Sequence, residues 1–161
     1  MRELVEGVDL KGTGACAAFN LRKTSRAVTQ LYDAGLAKAG LRSTQFTILV
    51  ATAKAQPATV GALAQLTLMD PTTMTRNLRL MRRAGLVEIS PRGERREKLV
   101  RLTGKGSRAL ARATPVWREV QARFVSKFGE RKWFEMQREL EMLAALAARS
   151  AGTTLESKGR T

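Results

Sequence analysis

The sequence predicts a mostly α-helical chain carrying one small β-hairpin. Three observations predict it. From Asp70 to Thr103 a capped basic helix, a tight turn and two alternating segments follow one another. On either side, apolar residues recur at helical spacing over long stretches. The composition is 43% hydrophobic with a net charge of +15, which suits a packed core with a polyanionic partner.

Taken in order, residues 1–14 read as a loose tail. Cys16 to about Ala39 follows as a long amphipathic helix, with Leu21, Ser25, Val28, Leu31/Tyr32 and Gly35 at helical spacing, and Gly40 ends it. Ser43 caps a second helix, Thr44 to about Lys54, with Phe46, Leu49, Val50 and Ala53 inward. Pro57 breaks the chain. Thr59 caps a short helix to Leu66, with Leu63 and Leu66 inward, and Thr67–Met69 forms a turn. Asp70 caps the next helix, and Pro71 suits its first position because its missing N–H would be unpaired there anyway. Leu78, Met81 and Leu80 make its inner stripe, and Gly85 ends it as a left-handed cap. Residues 86–90 and 98–102 alternate with period two, placing Val87 with Ile89 and Val100 with Leu102. Between them Pro91–Glu97 is an arginine-rich loop.

Thr103 caps a fifth helix with Leu110, Ala113, Trp117, Val120 and Phe124 inward, and Pro115 predicts a kink or short break. Gly129 interrupts. Glu130 to about Arg149 is a sixth helix, with Trp133, Met136, Leu140, Leu143 and Ala147 on one side. Residues 150–161 read as a flexible polar tail. Two short helices joined by a three- to four-residue turn make a helix-turn-helix, whose second helix enters the DNA major groove. The hairpin adds a wing. Residues 41–103 thus form a winged helix-turn-helix within a single domain of residues 15–149. The flanking helices, 15–40 and 104–149, carry apolar faces that a second copy would cover, so a homodimer on a two-fold site is expected.

Several classes are excluded. The chain has no histidine and one cysteine, Cys16, so neither a histidine-based catalytic group nor a structural zinc site is expected. There is no phosphate-binding glycine loop. No cofactor, no metal and no enzyme activity are predicted. The N-terminus lacks a secretory pattern and no apolar run reaches membrane-spanning length, which predicts a cytoplasmic protein without a membrane partner.

At this point the pattern resembles the MarR family of bacterial transcription regulators. Residues 94–106, Glu-Arg-Arg-Glu-Lys-Leu-Val-Arg-Leu-Thr-Gly-Lys-Gly, carry most of the likeness. The family pattern is Asp-Arg-Arg, three residues, then Val-x-Leu-Thr-x-x-Gly, and Glu94 stands here in place of Asp. Leu41–Phe46, Leu63–Ala64, Thr75–Arg76 and Arg83–Leu86 also match. The resemblance covers residues 16–148. It implies an obligate dimer with intertwined first, fifth and sixth helices, bound to a pseudo-palindromic operator in double-stranded DNA. It also implies a repressor released by a small-molecule effector, such as an aromatic acid or its thioester. A constitutive architectural DNA-binding protein is the alternative that the charge alone would permit.

Thr72, Thr73, Thr75, Arg76 and Arg79 are the candidates for the major groove, with Arg76 the best base reader. The threonine hydroxyls and free helix-end N–H groups suit phosphates. Thr72 and Thr73 read equally as ordinary first-turn residues. Arg95 and Arg96 belong to the wing, one entering the minor groove and the other pairing with Glu94. Arg22, Arg26 and Arg42 are candidates for clamping an effector carboxylate or phosphate, or are surface or DNA-backbone contacts. Cys16 has two readings. At a helix N-terminus near Arg22 and Lys23 it suits a redox-sensing thiolate, as in the peroxide-sensing branch of the family, whose spacing and aromatic neighbours differ from those here. The reading preferred is a small buried hydrophobe.

Overall fold

The structure, a computed structural model, describes residues 10–92 and 95–157. Six helices and three strands follow in the order α1 (Ala17–Leu36), α2 (Ser43–Ala55), β1 (Ala58–Thr59), α3 (Val60–Leu66), α4 (Pro71–Arg83), β2 (Val87–Arg92), β3 (Arg95–Leu102), α5 (Gly104–Phe128) and α6 (Glu130–Ser157). The strands form one antiparallel sheet in the order β1-β3-β2. The chain falls into two compact units, Met1–Arg118 and Glu119–Thr161.

In the first unit the core lies among α2, α3, α4 and the sheet. Leu36, Ile48, Leu49, Leu63, Met74, Leu78, Met81, Val87 and Val100 are fully buried in it. The Phe46 and Trp117 rings stack on its edge, with centroids 5.8 Å apart. The only buried polar side chain among the described residues, Thr52, donates its hydroxyl to the Ile48 carbonyl at 2.8 Å, so no polar atom is stranded there. In the second unit Trp133 meets Phe124 and Phe128 edge-on, at 5.5 and 6.4 Å between centroids. The α6 face bearing Met136, Leu140 and Leu143 is exposed.

Several expectations need correction. Leu66 and Leu80 are 60% and 49% exposed, and Met74 takes the inner position on α4. On α2 the inward face is Phe46, Ile48, Leu49, Ala51 and Thr52; Ala53 is exposed. This helix is covered on two sides, so its pattern is nearly continuous rather than periodic. The N-cap residue of α2 is Arg42 rather than Ser43. Strand β1 was not expected, because two residues carry no periodicity. The hairpin is longer than its alternation: β2 reaches Arg92 and β3 starts at Arg95, with a register shift between Pro91 and Arg92. Pro115 lies inside an unbroken α5. Ahead of α1, Thr13–Ala15 forms a 3-10 turn, held where Asn20 Nδ2 donates to the Gly14 and Cys16 carbonyls. Helix α6 continues through Ser157, past the predicted start of a tail at residue 150. The alanines and Leu155 in that stretch are good helix formers. Residues 1–9 and 158–161 of the predicted tails, and Glu94 with its ion pair, lie outside the described residues.

One corner fixes the wing to the long helix. Gly85 has φ 71°, which turns the chain from α4 into β2. Thr103 then ties the far end of the hairpin to this turn. Its N–H donates to the Leu86 carbonyl at 3.2 Å and its hydroxyl to the Gly85 carbonyl at 2.6 Å. The same hydroxyl oxygen accepts the Gly106 N–H at 3.0 Å, capping α5. The first turn of α5 therefore lies directly on Leu86. A Cβ at position 106 would stand 1.9 Å from the Leu86 carbonyl oxygen, which is rigid backbone. Gly104, by contrast, faces only the flexible end of Arg108 at 3.4 Å. Gly106→Ala should destabilise the fold by roughly 3 kcal/mol or more, the upper end of overpacking costs. Gly104→Ala should be nearly neutral. Urea denaturation of both variants checks this, and equal stabilities would be inconsistent with the corner.

A second tie links α1 to α2. Asp33 Oδ1 accepts both the N–H and the hydroxyl of Ser43, each at 2.6 Å, so a carboxylate on α1 caps α2. The Ser43 hydroxyl holds the Asp33 carboxyl below its ordinary value. Partial burial opposes this, and the Ser43 N–H and the Arg42 charge add to it. Because the folded value is depressed, the stabilisation is complete above the unfolded value of about 3.9. It is lost as pH falls through the folded value. Asp33→Asn should therefore be less stable than the native chain at neutral pH, with the difference shrinking towards zero below about pH 3. Thermal melts across that range read the outcome, and a difference independent of pH would count against it.

Candidate nucleic-acid interface

Helix α4 carries the site. Asp70 caps it, with Oδ1 accepting the N–H groups of Thr72 at 2.9 Å and Thr73 at 3.0 Å. Met74, Leu78 and Met81 anchor the inner face. At 100° per residue, Thr72, Arg76, Arg79 and Arg83 form the stripe opposite that anchor, and all four are exposed. Thr75 and Arg82 lie on one flank, Thr73 and Leu80 on the other. The helix has no acidic residue in its span, and Asp70 is the only acid between Asp33 and Glu88. The stripe is thus strongly cationic.

Two polar groups on α4 are already engaged. The Thr75 hydroxyl donates to the Pro71 carbonyl at 2.8 Å, and Asn77 Nδ2 donates to the Thr73 carbonyl at 2.8 Å. The helix-end N–H groups expected to meet phosphate are filled at Thr72 and Thr73 by Asp70. That expectation is corrected: the carboxylate occupies the place an anion would take.

Between α4 and the hairpin lies an open groove of about 620 Å³. Leu78, Ile89 and Val60 form its apolar floor, and Arg79, Arg82 and Lys98 its cationic rim. Arg82 and Lys98 were not singled out from the sequence. Their signal was available: Arg82 follows Arg79 by three residues on the helix, and Lys98 is two positions from buried Val100 on the strand. Arg95 and Arg96 open β3, with Arg95 in register with Arg92 across the hairpin.

The remaining candidates lie elsewhere. Arg22 and Arg26 are exposed, one turn apart on α1. Arg42 precedes α2, its N–H bonded to Gln45 Oε1 at 3.0 Å and its charge felt by Asp33. Cys16, expected to be a buried hydrophobe, is exposed. It sits at the N-cap of α1, ahead of the apolar spacing that would draw it inward. Among the described residues no cluster could hold a metal ion, and no helix is long and apolar enough to cross a membrane.

The fold and sequence place this chain among known proteins. The MarR family signature matches residues 39–97. The transcriptional regulator MosR of Mycobacterium tuberculosis, solved in complex with DNA, is 38% identical, with a TM-score of 0.75 over 83% of this chain and 98% of that one. The chain belongs to the MarR family of transcriptional regulators. Two more distant structures share the fold. MepR of Staphylococcus aureus, solved with DNA, is 22% identical, with a TM-score of 0.70 over 81% of this chain and 98% of that one. CouR of Rhodococcus jostii, solved with p-coumaroyl-CoA, is 19% identical, with a TM-score of 0.68 over 83% of this chain and 95% of that one. No protein of curated function matches the sequence. Within the MarR framework α3 and α4 are the helix-turn-helix, and β2 and β3 are the wing. The corner at Thr103 and Gly106 gives a physical reason for the Leu-Thr-x-x-Gly run after the wing: a hydroxyl to tie two elements, and no Cβ where the backbone passes.

Proposed function

We propose that this MarR-family chain is a sequence-specific, dimeric DNA-binding repressor, released by a small anionic effector. The observation that carries the reading is the exposed Thr72–Arg76–Arg79–Arg83 stripe on a helix anchored to the core by its opposite face. A rigid helix of this size, presenting cations away from its anchor, fits the major groove. Arg76 reads a guanine through its paired donors, and Arg79 lies beside it. Thr72 and Thr73 offer hydroxyls to the backbone. The Thr75 hydroxyl keeps a free lone pair for an incoming donor. Arg95 and Arg96 carry the wing towards the neighbouring groove. The 38% identity to a regulator solved with DNA supports the reading.

The domain assignment follows from it. Residues 41–103 read DNA, while 15–40 and 104–149 pair with a second copy. Phe19, Leu21 and Leu31 on α1, and Phe134, Met136, Leu140, Met142, Leu143 and Leu146 on α6, are exposed in the single chain. Apolar faces of this extent mark an interface. Arg22 and Arg26, a turn apart, would pair with the acid group of an effector. Arg42 is less suited, since a carboxylate already lies beside it.

Arg76→Ala should relax base preference at one position of the preferred site, at a cost of roughly 1–3 kcal/mol in discrimination. Selection from a random DNA pool with both proteins decides this, and an unchanged consensus would remove Arg76 as a reader. Sedimentation at micromolar concentration should give a dimer. A folded monomer there would contradict the assignment of the outer helices.

Exposure of Cys16 favours a second reading, in which oxidation of this thiol releases the DNA. Peroxide should then weaken operator binding in the native chain and leave Cys16→Ser unaffected. Equal responses of the two proteins would discard the thiol switch and retain the effector-responsive repressor.

A further inference from the structure

We propose that Asp70 is a specificity-determining residue, whose carboxylate accepts a hydrogen bond from a cytosine amino group in each half-site. The inference rests on the DNA-reading role of α4 given above and adds a residue to it. It starts from an imbalance. Between Asp33 and Glu88 the chain is rich in Lys and Arg and has a single acid, and that acid stands at the leading end of the reading helix. Capping alone does not require it. Asn and Ser cap as well as Asp, and this chain uses hydroxyl caps at Thr59 and Thr103. A carboxylate here repels the phosphates that the rest of the surface attracts, so the charge calls for a different account.

The geometry supplies one. Both capping bonds, from Thr72 and Thr73, end on Oδ1. These bonds fix the side chain and leave Oδ2 without a donor among the described residues. Oδ2 is therefore an exposed, oriented acceptor at the end of the helix that meets base edges. An acceptor-only group in the major groove selects an amino donor, and Asp and Glu pair with the N4 amino group of cytosine. The adjoining Arg76 selects guanine acceptors. An acid and an arginine on successive turns of one helix would read opposite hydrogen-bonding patterns. The same carboxylate closes the helix end to phosphate, so backbone contacts cannot substitute for the base contact there.

Asp70→Asn and Asp70→Ser separate the cap from the charge. Both should melt within a few degrees of the native full-length protein, because the cap survives. In selection from a random DNA pool, the native protein should require cytosine at one position per half-site. Both variants should lose that requirement and keep the rest of the consensus. Replacing this cytosine by 2-pyrimidinone, which lacks only the amino group, should weaken native binding roughly tenfold to a hundredfold and leave Asp70→Ser unaffected. The proposal is overturned if both variants retain the cytosine. It is also overturned if they bind every sequence more tightly by the same factor, since the carboxylate would then act only by repelling phosphate. Failure of the native protein to enrich any sequence would overturn the DNA reading itself, and this inference with it.

Discussion

Where the hairpin closes onto α5, a single backbone carbonyl is shared by three elements. The Leu86 carbonyl follows the turn out of α4, accepts the Thr103 N–H at the far end of the hairpin, and lies under Gly106 in the first turn of α5. The direction of α4, the base of the wing and the start of the long helix are thus set at one place. Gly85 and Thr103 complete it, through the Thr103 hydroxyl bond to the Gly85 carbonyl. A rotation of α4 about its axis would pull this bond apart. The stripe of arginines keeps its heading because the end of the helix beneath it is tied down.

The other end of α4 is held differently. Its anchor is apolar, through Met74, Leu78 and Met81 in the core, and its N-terminus is closed by its own cap. The adjoining turn contains Leu68 at φ 51°, a left-handed backbone that costs a leucine free energy. Tight closure of α3 onto α4 offsets that cost, since the Met69 N–H reaches the Ala64 carbonyl at 2.9 Å. The reading helix is therefore rigid at both ends, while the apolar faces of α1 and α6 remain open. Order in the DNA-facing part comes from within the chain, and completion of the outer helices is left to whatever covers them.

Much of this was legible in the sequence. Asp70, Pro71, Gly85 and Thr103 each perform a job that few residue types can do, and each was placed from its type and position alone. The helices α1, α4, α5 and α6 followed from periodicity. What escaped was of another kind. Leu66 and Leu80 fit the inner stripe by spacing, yet Met74 fills the core, because the inward direction of a short helix depends on what packs above it. Strand β1 exists only by pairing with β3, a contact some forty residues away in sequence that no local pattern encodes. Asp33 caps a helix other than its own, so its role is invisible until α1 and α2 are brought together. Cys16 was assigned by the habit of its residue type, and its position before the first apolar turn of α1 leaves it exposed.

The candidate site was legible in part for the same reason. Its cations announce themselves by composition, but composition cannot say which are free to read a base. On α4 the answer comes from hydrogen bonds internal to the helix. Thr75 and Asn77 spend a donor on carbonyls one turn back, and Asp70 spends one oxygen on two N–H groups. A donor so engaged discriminates among bases less than a free one, because it has no unmet bond to lose at a wrong base pair. Arg76 and Arg79 have no acidic partner among the described residues, and each keeps a full guanidinium fork. The phosphate-seeking charge of the chain as a whole gives affinity without sequence. Specificity falls to the few groups that the cap, the core anchor and the Thr103 corner hold in place with bonding capacity to spare.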